Sequence, residues 1–132
     1  MTPKGRLAIG AAEQAGRVLG ARAAHSALRS LALTLSDPND RTAALLAAAR
    51  HARELADEPA LLSLATLLSE VREADGRAHL PALTQLCARL LSERRPRVAV
   101  EFARAELHRA PRGEAHYLLG RCLHRQQPAE AE

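Results

Sequence analysis

Tryptophan is absent from this chain, and Phe102 and Tyr117 are its whole aromatic complement. Aromatic and β-branched side chains fill the faces of sheets, so a sheet has little here from which to pack. Lysine is almost missing too, Lys4 being the only one among 19 basic residues. Cysteine is limited to Cys87 and Cys122, too few for a disulfide framework, and with no secretory signal in view a reduced, cytoplasmic setting is expected.

Long apolar runs are lacking as well. The most apolar stretch, residues 1–35, is broken by Arg17, Arg22, His25 and Arg29, and a membrane span needs about twenty apolar residues without such breaks. Gly16 and Gly20 in GRVLG have the small-xxx-small spacing of membrane helix pairs; without an apolar span they predict close packing between soluble helices.

The signatures of catalysis are missing in turn. Six histidines include no HExxH and no pair at i and i+4, and no CxxC is present. His116 and His124 are about 12 Å apart along a helix, too far to share one metal ion. Both cysteines fall on leucine-rich stripes, where a small core thiol is the ordinary occupant and a nucleophile is not. No Gly-rich phosphate loop follows a strand. Neither an enzyme, a metal site nor a cofactor is expected.

What is present is alanine and leucine. They dominate a hydrophobic fraction of 47%, and they are the strongest helix formers. An all-α fold follows, and 132 residues suit one domain. Proline, glycine and aspartate divide the chain into about six helices. The first region spans Arg6 to Leu35, with a bend or break near Gly16 or Gly20. Asp40 reads as the N-cap of a second helix, Arg41 to Ala56. The third runs from Pro59 to Ala74 and ends at Asp75 and Gly76. A fourth opens at Pro81, a fifth at Pro96, and a sixth covers Glu114 to Gln126. Short connections between helices of this length force neighbours antiparallel. The expectation is a stack of helical hairpins over residues 1–127, as a short α-solenoid or a compact bundle, followed by a disordered acidic tail at 128–132.

Charge is distributed unevenly about a net +4. Residues 1–36 carry five basic groups against Glu13, residues 37–76 eight acids against four arginines, and residues 77–125 ten arginines against four acids. Basic ends and an acidic middle fit packing between regions, a second copy, or an acidic partner.

The C-terminal third repeats itself. Leu83, Leu86, Cys87 and Leu90 align with His116, Leu119, Gly120 and Leu123 at a spacing of 33, and a weaker echo joins Glu54, Leu55 and Pro59 to Glu106, Leu107 and Pro111 at 52. With Ala99 at a small position and Pro111 at the terminal proline, residues 81–126 resemble tetratricopeptide-type hairpins, whose period is about 34. Phe102 lies one residue early for that family's aromatic position. The resemblance implies a protein-binding module and a close helix contact at Gly120. It also implies that one face of the first helix of each hairpin lines a groove for a peptide.

That face would carry Tyr117, Arg121, His124 and Arg125 from the sixth helix, at i, i+4, i+7 and i+8, beside Thr84, Ala88 and Leu91 from the fourth. Arginine and tyrosine together suit an acidic peptide, through bidentate pairing and a rigid aromatic contact. The small-residue stripe from Ala43 to Ala49 offers a seam for self-association, so a homodimer is a further expectation. The alternative partner is nucleic acid, met by Arg94, Arg95, Arg97, Arg104, Arg109 and Arg112, although aromatics for base stacking are nearly absent.

Overall fold

The computed structural model describes residues 2–71 and 79–131, and side chains as far as Arg125. Its helices are α1 Pro3–Leu19, α2 Ala21–Thr34, α3 Pro38–Glu54, α4 Glu58–Ser69, α5 Leu80–Ser92, α6 Pro96–Arg109 and α7 Gly113–Ala131. No strand occurs among the described residues, as the composition requires. Proline occupies the first or second position of α1, α3, α4, α5 and α6, where its missing N–H is one the helix could not use.

The expected first helix is two. Gly20, at φ 100, ends α1 and precedes α2, a conformation that a side chain would oppose. Gly16 is the close-approach residue of the pair, because a Cβ there would fall on the Cβ of Ala24. Asp37, not Asp40, caps α3, accepting from the Asp40 N–H at 3.0 Å. The expected caps at Asp75 and Gly76, and Arg72 to Ala74, lie outside the described residues. Helix α7 continues through Pro128 to Ala131, where the sequence reading places a disordered tail from residue 128; the proline removes one backbone donor from the last turns.

Asp40 has a larger role than capping. Its carboxylate is buried and takes the Thr2 N–H at 2.9 Å and the Thr2 hydroxyl at 2.6 Å. The same Thr2 hydroxyl oxygen caps α1 by accepting from Gly5 N–H at 2.9 Å. One carboxylate thus sits between two helix N-termini, where the dipoles favour negative charge. A Cβ at Gly5 would collide with that carboxylate. This clamp sets α1 and α3 side by side with the same polarity.

The odd-numbered helices adjoin in sequence, α1 with α3, α3 with α5 and α5 with α7, while α4 packs on α6 behind them. Two of the hairpin turns are copies of one another. Ala56 and Arg94 both take positive φ, 55° and 61°. The next residue closes back in each case, Asp57 N–H to Ala52 C=O at 3.1 Å and Arg95 N–H to Leu90 C=O at 2.8 Å, the closure of a Schellman-type helix end. The turns lie 38 positions apart, and that offset superposes the cores. Leu45, Ala48, Ala49 and Ala52 of α3 correspond to Leu83, Leu86, Cys87 and Leu90 of α5, all buried. Leu61, Leu64, Ala65, Leu68 and Val71 correspond to Ala99, Phe102, Ala103, Glu106 and Arg109, also all buried.

From α5 to α7 the matching offset is 32, Leu83, Leu86 and Leu90 answering to Ala115, Leu118 and Cys122. The spacing of 33 read from the leucines is one residue long. The echo at 52 pairs the end of α3 with the end of α6, helices of opposite layers, and is not a structural repeat.

In the last turn of α6, the positions that answer to Leu68 of α4 and to Val71 just beyond its end are Glu106 and Arg109, which form a buried ion pair. Arg112, in the turn to α7, reaches the other Glu106 oxygen at 2.8 Å. One buried carboxylate therefore ties the end of α6 to the start of α7. Removing one partner of such a group is expensive because the other charge stays buried.

Two stability predictions follow from these contacts. Glu106→Leu should cost about 3–5 kcal/mol by removing the buried carboxylate that Arg109 and Arg112 share, whereas Glu106→Leu with Arg109→Val, repeating the pair Leu68 and Val71, should recover part of that loss in chemical denaturation. His25, on α2, titrates below its usual value because burial opposes its charge, with Asp57 pulling the other way. Its proton is bound more readily by the unfolded chain, so stability should decline as pH falls below about 6.5. The slope of Tm against pH in that window should flatten in His25→Gln.

Candidate protein-binding face

Helices α5 and α7 bury one side each against α6 and turn the other outward. On α5 the buried set is Leu83, Leu86, Cys87 and Leu90, leaving Ala82, Gln85, Ala88, Arg89 and Ser92 exposed. On α7 the buried set is Ala115, Leu118 and Cys122, leaving Tyr117, Gly120, Arg121, His124 and Arg125 exposed. The 3.6-residue period thus delivers the second group along one line.

Between them runs a groove of about 600 Å³ lined by Ala88, Leu91, Ser92, Tyr117, Gly120, Arg121, His124 and Arg125. It contains six of the seven residues that the tetratricopeptide resemblance implies for a binding face. The seventh, Thr84, lies in the adjoining depression with Leu80, Gly113, Glu114, Tyr117, Leu118 and Arg121. Tyr117 is 70% exposed, and the Arg121 guanidinium lies 5.9 Å from its ring centroid, within cation–π reach. Among the described residues the larger groove has no carboxylate in its lining.

Gly120 is not a helix contact. A Cβ built there meets no atom within 4 Å, because at the true offset of 32 its counterpart is the exposed Ala88 and not the buried Cys87. Its lack of a side chain widens the groove.

A second groove lies between α3 and α5, about 430 Å³, and escaped the sequence reading. Arg50, Arg53, Arg89, Gln85 and Leu86 are among its lining, and Glu54 is the one carboxylate among the described lining residues. Its two walls are far apart in the chain, so periodicity along either helix could not join them. Arg53 donates to Glu93 at 2.8 Å, but its buried Nε has no hydrogen-bond acceptor.

Other expectations change with the fold. The stripe from Ala43 to Ala49 is core: Ala44, Ala47, Ala48 and Ala49 are all buried, so it offers no seam to a second copy. The large exposed apolar groups are instead Leu7, Val18, Leu19, Leu33 and Tyr117. Of the six arginines assigned to phosphate, Arg109 and Arg112 are taken by Glu106 and Arg104 lies 3.7 Å from Glu101. Arg94, Arg95 and Arg97 remain around one turn.

Cys87 and Cys122 are both buried, as free thiols, and adjoin one another. Their mutual hydrogen bond, with burial added, pushes Cys87 well above the usual thiol value. The same bond pulls Cys122 down, against burial and with help from Arg121. Among the described residues no three histidine, cysteine or carboxylate groups come together as a metal would need, and no helix is long and apolar enough to cross a membrane. Neither a family model, a curated protein nor a solved structure matches the chain.

A matched pair of substitutions separates groove from core. Gly16→Leu should destabilise by about 1–3 kcal/mol or more by overpacking against Ala24. Gly120→Leu should leave thermal stability unchanged or raise it by up to about 1 kcal/mol, since it relieves a mid-helix glycine in open space. Thermal unfolding followed by circular dichroism reads both.

Proposed function

We propose that this chain is a tetratricopeptide-like interaction module, a small adaptor that takes an acidic segment of another protein into the groove between α5 and α7. One observation carries the reading: the groove presents Tyr117, Arg121, His124 and Arg125 with no carboxylate among its described lining residues. Guanidinium groups that are exposed and unopposed favour carboxylate ligands through paired hydrogen bonds, and a rigid tyrosine supplies contact area at small entropic cost. The likeness to tetratricopeptide hairpins supports the choice of face, although a turn-to-turn period of 38 is longer than that family's. Binding rather than catalysis also accords with thiols sunk in the core.

Nucleic acid is the competing anion. The ion pairs of Arg104, Arg109 and Arg112 reduce its basic footprint, and the single exposed aromatic group offers few platforms for bases.

The test is capture of partners from native extract at low and moderate salt, with and without nuclease. Wild-type protein should retain a defined protein after nuclease, and Arg121→Glu with Arg125→Glu should weaken that binding at least about tenfold, near 1.4 kcal/mol. Capture that disappears with nuclease would transfer the function to nucleic acid.

A further inference from the structure

The α3/α5 and α5/α7 grooves share α5 as a common wall, and the way α5 is built makes that wall low. Adjacent residues face opposite ways: Ala88 lines the α5/α7 groove and Arg89 the α3/α5 groove. On this exposed side of α5 the long side chains are Gln85 and Arg89, and between and beyond them Ala82, Ala88 and Ser92 leave the wall low. Across from Ala88 stands Gly120, whose missing side chain leaves space. A chain can therefore pass over α5 at Ala88 from one groove into the other.

The charges on the two sides match. Arg121 and Arg125 line the first groove, and Arg50, Arg53 and Arg89 the second, with Glu54 the one carboxylate among the described lining residues of both. Arg50 is held by Glu13 at 3.5 Å, an exposed contact of little strength, and Arg53 is paired with Glu93 at 2.8 Å. Arg89 makes no ion pair among the described residues. Arg121 and Arg125 on one side of α5 and Arg89 on the other therefore attract anions to both grooves at once.

We infer that the ligand of this face is an extended acidic segment that crosses α5 and places one carboxylate in each groove, the first against Arg121 and Arg125 and the second against Arg89. This rests on the α5/α7 groove being a binding site for acidic segments. Packed helix axes lie about 8–10 Å apart, so the two groove floors are separated by about the same distance. An extended chain advances about 3.3 Å per residue. The two acids are then about three positions apart, and the recognised pattern is acid-x-x-acid.

Fluorescence anisotropy at low salt tests this with three labelled dodecapeptides of one neutral background, carrying a single glutamate, two adjacent glutamates, or two glutamates three positions apart. The spaced peptide should bind at least about fivefold more tightly than either of the others. Arg89→Glu should abolish that advantage while leaving the single-glutamate peptide's affinity within twofold of wild type, and Arg121→Glu should weaken all three. Equal binding of the adjacent and spaced peptides, or indifference to Arg89→Glu while Arg121→Glu still weakens binding, would overturn the two-groove ligand and leave the single-groove function standing. Failure of every acidic peptide would overturn both. A single-stranded oligonucleotide of equal charge that binds more tightly than the spaced peptide would likewise overturn both in favour of a phosphate backbone. Circular dichroism of each variant confirms that the fold is retained, since both arginines are exposed.

Discussion

Everything in this fold is arranged around one helix made of very small side chains. Helix α3 buries Ala44, Ala47, Ala48, Ala49 and Ala52, and it touches α1, α2, α4 and α5. Alanine loses no side-chain entropy on folding and lets neighbouring backbones approach closely. A larger residue at any of these positions would separate helices on more than one side. The stack is therefore held by contact area between backbones and methyl groups, with Phe102 the single large aromatic group in the core. The Asp40 clamp depends on the same closeness: α1 can share its N-terminus with α3 only because Gly5 leaves room for the carboxylate.

At the other end of the stack the cohesion changes character. Where the apolar stripe of α4 ends on Leu68 and runs on to Val71 just past the helix, α6 substitutes an ion pair that also binds Arg112. That carboxylate fixes the approach of α7 to α6, and hence the width of the groove that α7 forms with α5. A buried ionic cluster contributes little net stability against an apolar alternative, but it permits few geometries. The α5/α7 groove is accordingly shaped by a polar contact on the opposite side of its own helices.

Much of this was legible in the chain. The prolines at Pro38, Pro59, Pro81 and Pro96 locate helix starts because proline tolerates the first turn and little else. The alignment of Tyr117, Arg121, His124 and Arg125 was legible because it depends only on helical period, and the structure brings these four to one groove with Ala88 and Leu91, while Thr84 lies in the adjoining depression. The register was not. Leucines at Leu118, Leu119 and Leu123 satisfy two alignments with α5, and only packing against α6 selects the one that buries Ala115 and Cys122. The repeating turns were hidden because Ala56 and Arg94 adopt a left-handed conformation usually signalled by glycine. Glu106 and Arg109 read as a solvated i, i+3 pair until burial is known, and the α3/α5 groove has walls that no local pattern connects.

The equivalence of those two turns gives the chain a property of its own. Residues 57–94 begin just after one left-handed corner and finish on the next, so the unit enters and leaves in the same backbone pose. Splicing in a second copy of that segment would preserve every corner and insert one more helix pair into the array. It would also add one more channel beside the α3/α5 groove, lengthening the face by about one helix diameter, roughly 10 Å. A chain built this way carries a ruler in its own sequence, and its reach can be extended in steps of fixed size without redesigning any contact within a unit.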